Sequence, residues 1–205
     1  MTLDVEVQEL CRTGGQSPAL ELIMKAHGGE IMRFMLGHAR DVQLANEAFA
    51  VFSEDICRGI HGFAFRCSVR TWIYSVAHRA LAKVWRAHAR SKARTSELPA
   101  SAELSLPASP ARSETPVYVR TESKQRLLRL RESLDPGDQV LLELRLGERF
   151  SWKDIARIHL DDQSVGSKTL DAEAARLRKR FQVLKESLRA MARADGLLPP
   201  NDASR

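Results

Sequence analysis

Residues 65–94 read FRCSVRTWIYSVAHRALAKVWRAHARSKAR. The stretch holds eight Arg or Lys residues, no Asp or Glu, and two of the chain's three tryptophans, Trp72 and Trp85. It predicts one long helix over about 69–93. At 100° per residue, Arg79, Lys83, Arg86, Arg90 and Arg94 fall within roughly 80° of arc, and Trp72 lies on that same arc. Ile73, Ala77, Ala80, Leu81 and Val84 lie about 100° to 200° away. The expected helix therefore has a core face and, nearly opposite, a cationic face with a tryptophan at its N-terminal end. Two readings compete. The basic face is simply solvated and Trp72 caps the core, or the face holds a polyanion and the aromatic meets a base. The missing acids favour the second, because a helix selected only for stability usually carries Glu for i,i+4 pairing.

Outward from this helix, composition sets the fold class. The chain has 205 residues, 43% of them apolar and 28% charged, enough for a core in one large or two small domains. Aromatics are only 6%, and runs of Val, Ile, Tyr and Thr are scarce. Leu, Ala, Arg and Glu dominate, so the expectation is an all-α protein. The net charge is +6, and its distribution says more than its size. Residues 1–65 are net −4, residues 66–95 net +8, residues 96–117 net −2 and residues 118–205 net +4. Basic charge gathered into two blocks points to an acidic partner such as a nucleic acid.

The clearest boundary is TSELPASAELSLPASPARSETPVYV, residues 95–119, where Pro99, Pro107, Pro110 and Pro116 alternate with Ser and Ala. It reads as a flexible linker over 96–117. The chain then divides into a helical module over 1–95 and a second over 118–205. In the first, Leu20, Ile23 and Met24 begin a helical pattern that Ile31, Phe34 and Met35 continue. Gly28–Gly29 is expected to weaken or interrupt it. LANEAFAVFSEDICRGI places Ala48, Phe52 and Ile56 on one face. HGFAFRCS, before the basic helix, is too short and irregular for a helix.

The second module predicts four helical segments. The first covers 118–133. The next opens at DPGD, with Asp135 as N-cap and Pro136 at the first helical position, and stops at Gly147. SWKDIARI opens the third, with Ser151 and Asp154 in a capping-box variant. The fourth is expected from near Asp171 to Ala194. Leu177, Phe181, Leu184, Leu188 and Met191 form its core stripe, and Arg176, Arg178, Lys179 and Arg180 lie around its other faces. Ala172, Ala174 and Ala175 leave its first turns small enough to approach a major groove. A short helix and a long basic one outline a helix-turn-helix. Arg176 and Lys179 are the first candidates for DNA, Arg178 and Arg180 are either contacts or solvated, and Trp152 is expected between the two helices.

Other functional classes find little. Cys11, Cys57 and Cys67 have no CxxC spacing and read as reduced thiols. Six scattered histidines lack any metal-ligand spacing, and there is no phosphate-binding glycine loop and no GxSxG. The chain reads as a non-enzyme without metal or cofactor. The start MTLDVEVQEL lacks a secretory signal, and no apolar run approaches a membrane span, so a cytoplasmic location without membrane insertion is expected.

The motifs in their order resemble a family. FRCSVRTWIYSVAHRALAKVWRAHAR resembles the FRGxSSFRTWLYRIARNLALDxLRR pattern of bacterial RNA polymerase sigma factors of the extracytoplasmic-function group. LRESLDPGDQVLLELRLGERFSWKDIARI looks like the start of their fourth conserved region, and ARLRKRFQVLKESLR is similar to their recognition helix. The resemblance covers about residues 19–94 and 125–193. It implies a second-region module that binds the polymerase core and captures the non-template strand of the minus-ten element. It also implies a fourth-region module that reads the minus-thirty-five element as duplex. Phe63, Phe65, Arg66 and Ser68 would line a base pocket, with Arg70, Trp72, Arg79, Lys83 and Arg86 along the helix; either Phe is alternatively core. Lys168, Ala172, Ala175, Arg176, Lys179 and Arg180 would face the duplex. Core polymerase and promoter DNA are the implied partners, and an anti-sigma factor is a further one.

Two departures qualify the resemblance. Where the family carries an acidic docking segment like DAEDLVQEVF, this chain has LANEAFAVF, with Asn46 at a usual Asp and Phe49 at a usual Gln. Glu47, Glu54 and Asp55 remain nearby as docking candidates. The connection HLDDQSVGSKTLD is also longer than a simple helix-turn-helix uses. It is read as a surface loop over 161–170, or as a source of Lys168 for the phosphate backbone. A stand-alone helix-turn-helix regulator is the alternative from the sequence, and a protein that binds some other acidic partner is a third.

Overall fold

The computed structural model describes residues 2–39, 41–94, 129–130, 133–160 and 164–197. The fold is all-α, with no strand among the described residues. In chain order the elements are α1 (Leu3–Arg12), α2 (Gln16–Ala39), α3 (Val42–Gly59), a 3-10 turn (Ile60–Gly62) and α4 (Val69–Arg94). The second half contributes α5 (Pro136–Leu142), a π-type turn (Glu143–Gly147), α6 (Trp152–Leu160) and α7 (Ser167–Ala194). The expected linker over 96–117, most of the expected helix over 118–133 and the C-terminal tail lie outside the described residues. Among those described, no helix is long and apolar enough to cross a membrane.

Helix α1 was not anticipated. Leu3, Val7 and Leu10 are spaced four and three apart, so they share one face, and Val7 is fully buried. Asp4 and Glu6 in the first turn suit the positive end of the helix. Helix α2 runs unbroken through Gly28–Gly29. The two glycines cost about 1 kcal/mol each against alanine, but Ile23, Ile31, Phe34 and Met35 are buried on either side and hold the helix to the core. Asp41 caps α3 by accepting hydrogen bonds from the amides of Gln43 and Leu44. That helix buries Ala45, Ala48, Phe52 and Ile56, as its pattern predicts.

Asp135 caps α5 by accepting from the Gly137 amide at 3.1 Å. Helix α6 begins with the Asp154 amide donating to Ser151 Oγ at 3.2 Å, while the Ser151 hydroxyl donates to Asp154 Oδ2 at 2.5 Å. Helix α7 starts four residues before Asp171, at Ser167, so the connection from α6 is shorter than the sequence suggested. The cause is Leu170: it is buried together with Ala174, Leu177, Phe181 and Leu184, at helical spacing, and draws the preceding turn into the helix. Trp152 meets Phe181 edge-on at 5.4 Å, between α6 and α7 as expected.

The buried side chains of α2, α3 and α4 continue without a break into those of α5, α6 and α7. The junction is α6 against α4. Its aromatic centre is Tyr74, with Phe150 edge-on at 4.9 Å and Phe34 on its other side at 5.2 Å.

Candidate nucleic-acid interface

Helix α4 changes character along its length. Its start is fixed by side chains: the Val69 amide donates to Asp4 Oδ1 at 2.6 Å and the Thr71 amide to Ser68 Oγ at 3.0 Å. From Thr71 to Ala77 every residue is buried, whatever its position on the wheel. The helical wheel correctly groups Trp72 with the basic residues in angle, but Trp72 is only 3% exposed and belongs to the core. The loop after α3 folds over it. Phe63, itself buried, stacks on Trp72 with centroids 4.6 Å apart and planes 15° from parallel. Gly59 makes room, since a Cβ there would lie 3.3 Å from Trp72 Cζ2.

Phe65 is half-buried against Phe63 at 4.3 Å, and its φ of 53° places a bulky residue in the left-handed region. Of the two Phe candidates, Phe63 takes the core alternative and Phe65 the rim. Arg66 and Ser68 are exposed, and the Ser68 oxygen is already engaged at the helix start.

Beyond Ala77 the wheel holds as drawn. Ala80, Leu81 and Val84 are buried, and Arg79, Lys83, Arg86 and Arg90 are exposed. Arg79 Nε stands 4.0 Å from Asp55 Oδ2, and Arg86 Nε donates to the Ala82 carbonyl at 3.1 Å. The side chain of Arg94 lies outside the described residues. Beside this cationic face opens a cleft of about 390 Å³. Thr71, Trp72, Ser75 and Arg79 line one wall, and Arg157 and Ser164 from the second half line the other. Burial raises the pKa of the Cys67 thiol at its edge.

Arg70 does not stand on the open cationic face. Its guanidinium bonds to the carboxylates of Glu30 on α2 and Glu148 after the π-type turn. Nη1 also donates to the Glu148 carbonyl at 3.0 Å, and the group lies 4.4 Å over the Phe150 ring. Tyr74 donates to Glu30 Oε1 at 2.9 Å, and His27 Nδ1 is 2.9 Å from Glu30 Oε2. Burial works to raise the Glu30 pKa, but the hydrogen bonds from Arg70, His27 and Tyr74 outweigh it and hold the carboxyl down to about 2. Glu148 moves the other way, pushed up by burial and by the neighbouring Glu30 carboxylate. The Thr71 hydroxyl donates to Asp154 Oδ1 at 3.1 Å.

The duplex candidates all lie on α7. Lys168, Ala172, Ala175 and Lys179 are exposed, whereas Ala174 faces the core. Arg176 forms a bidentate pair with Glu173 at 2.7 and 2.6 Å, and His159 Nδ1 reaches the same carboxylate at 3.0 Å. Arg180 donates to Asp138 Oδ1 at 2.5 Å and sits 3.4 Å from Asp135 Oδ2, tying α7 to α5. Arg178 lies 5.8 Å over Trp152. Of the docking candidates on α3, Asn46, Glu47 and Glu54 are exposed, with Glu54 bonded to Arg58 at 3.0 Å. Phe49 is half-buried against Phe52 at 5.7 Å, and Asp55 sits between Arg58 and Arg79.

The structure thus places Arg79 in the lining of the cleft and Lys83, Arg86 and Arg90 farther along the same helix, sets Phe63 and Phe65 at a separate hollow with Cys11 and Ile60, and carries the α7 cations on another helix. Glu30, Tyr74, Glu148 and Asp154 gather around the start of α4 and were missed. No sequence spacing marks them, since Arg70 meets Glu30 across 40 residues and Glu148 across 78. The chain matches no protein-family model and no curated protein.

Proposed function

We propose that the protein is a promoter-specificity subunit of bacterial RNA polymerase, a sigma factor resembling those of the extracytoplasmic-function group. The observation that carries the reading is the exposed run Arg79, Lys83, Arg86 and Arg90 along one face of α4. Cations along a helix track strand phosphates, and their separation by whole turns suits a backbone running along α4. Pulling a base from the stack costs a few kcal/mol. Stacking on an aromatic ring returns about 1–3 kcal/mol per base, and Phe65 is the ring with an accessible face. Trp72 then supports Phe65 from below, through Phe63, and is not itself a stacking surface.

The duplex role falls to α7. Lys168, Ala172, Ala175 and Lys179 lie on its exposed N-terminal half, the part that reads base edges when such a helix enters a major groove. Arg176 and Arg180 would exchange their carboxylate partners for phosphates. Docking on the polymerase core falls to α3, through Asn46, Glu47 and Glu54. On this reading the protein is not an enzyme; it works in the cytoplasm with core polymerase and promoter DNA, and an anti-sigma factor is a further candidate partner.

The test is reconstitution. The full chain is mixed with core polymerase lacking any sigma factor and with promoter fragments from the same genome. A stable holoenzyme and defined start sites are expected. Absence of both overturns the proposal, and tight site-specific duplex binding without polymerase would favour a stand-alone regulator instead.

A further inference from the structure

We infer that the cleft between α4 and α6 is a binding site for a small phosphorylated sugar or polyol, with Arg79 and Arg157 holding its phosphate and the oxygens of Thr71 and Ser75 accepting from its hydroxyls. This does not rest on the function proposed above, which uses Arg79 but not the cleft. The cleft measures about 390 Å³, within the roughly 300–1,000 Å³ usual for small-molecule sites. Among the described residues no Asp or Glu lines it, and each half of the chain contributes one arginine. Arg157 is the unusual member. It is half-buried, and no carboxylate pairs with it among the described residues. Arg70, Arg176 and Arg180 each hold one.

A half-buried guanidinium has given up part of its hydration, and without a partner that loss is not offset. Burial raises the pKa of the Cys67 thiol at the cleft's edge, and the Arg157 charge opposes that rise. An anion in the cleft supplies the missing partner, and a phosphate suits a guanidinium because it accepts two parallel N–H bonds. Arg79 adds a second positive charge from α4, with Asp55 at 4.0 Å. The remaining lining decides the rest of the ligand. The Thr71 hydroxyl donates to Asp154 Oδ1 at 3.1 Å, and the Ser75 hydroxyl to the Trp72 carbonyl at 2.7 Å. With their protons committed, both oxygens are left as acceptors, which suits the hydroxyls of a sugar. Trp72 is 3% exposed and carries Phe63 on its face, so the cleft presents no stacking platform to a nucleobase. A nucleic-acid strand also brings phosphate, but Lys83, Arg86 and Arg90 lie farther along α4, whereas Arg157 stands on the opposite wall.

The experiment uses the full chain, with glucose 6-phosphate and glycerol 3-phosphate as probes. Glucose, inorganic phosphate and a single-stranded DNA decamer serve as comparisons. Isothermal titration calorimetry gives the affinities, and thermal melting gives the stability. At least one of the two probes should bind more tightly than inorganic phosphate and raise the melting temperature, because it binds only the folded chain. Arg157→Gln should weaken that binding about tenfold, as the loss of a charge-assisted contact does. The same substitution should leave the unliganded melting temperature unchanged, since it removes no ion pair. Gly62 also lines the cleft, and a Cβ there meets nothing within 4 Å. Gly62→Leu should therefore fold normally and block the probe. Binding of neither probe, or affinity no better than that of inorganic phosphate, overturns the inference. Unchanged probe affinity in Arg157→Gln overturns it too. If that substitution weakens the decamer as much as the probe, the cleft serves a strand phosphate and the inference falls as well.

Discussion

At Trp72, position on a wheel and position in a fold part company. The sequence places this ring among the cations, and in angle it is among them. What the wheel cannot express is enclosure, which comes from Phe63 and Gly59 of the preceding loop. Trp72→Ala should therefore cost about 3–5 kcal/mol in stability, the usual loss for a buried aromatic. Trp72→Phe, which keeps a stacking face, should cost clearly less; urea denaturation separates the two. His78 carries a second prediction. Burial, and then His159 and His38, hold its pKa down to about 4 from an ordinary 6.5. Its protonation therefore favours the unfolded chain. The stability involved is fully present above pH 6.5 and drains away as pH falls toward 4. Glu30, held down to about 2, loses its contribution only below the ordinary carboxyl range, so the two windows are distinct. His78→Gln should flatten the fall in urea midpoint between pH 7 and pH 5, and an unchanged fall would place the acid-sensitive group elsewhere.

Helices whose ends are marked by side chains were the most legible. Asp135 with Pro136, and Ser151 with Asp154, announce the starts of α5 and α6, because a cap is a local hydrogen bond written in adjacent residues. Interior glycines mislead for the opposite reason. Their cost is local, but the burial that offsets it is not, and α2 runs straight through Gly28–Gly29. Gly29 is exposed, and a Cβ there would meet only the far end of Arg33 at 3.6 Å. Gly29→Ala should thus stabilise the protein by about 1 kcal/mol, the helix-propensity difference, and raise its melting temperature. A loss of stability would mean that α2 needs the glycine for a bend. Helix α1 is harder to read because its apolar stripe, Leu3, Val7 and Leu10, spans only about two turns among charged residues.

For the whole molecule, the sequence told of two basic blocks and an acidic start, but not of the face on which they meet. Charge composition is additive along a chain, whereas the bonds from Arg70 to Glu30 and Glu148 depend on how three distant segments are brought together. If α4 tracks a strand, its affinity must fall with salt. Each phosphate contact adds about 0.7 to the slope of log affinity against log salt. Lys83→Gln and Arg86→Gln should each reduce that slope by about 0.7 while leaving the fold unchanged. An unaltered slope would return both residues to the solvated surface.

The π-type turn imposes one more constraint. The Glu148 amide reaches back to the Glu143 carbonyl at 2.8 Å, one residue farther than an α-helical bond. Removing any residue between them would let ordinary winding resume and swing the following chain by about 100°. Glu148 would leave Arg70, and Phe150 would leave Tyr74. Length at 143–147 is therefore more tightly constrained than composition. In relatives of this chain, the exposed Leu146 should vary and the buried Leu144 should stay apolar, while insertions and deletions should fall outside these five residues.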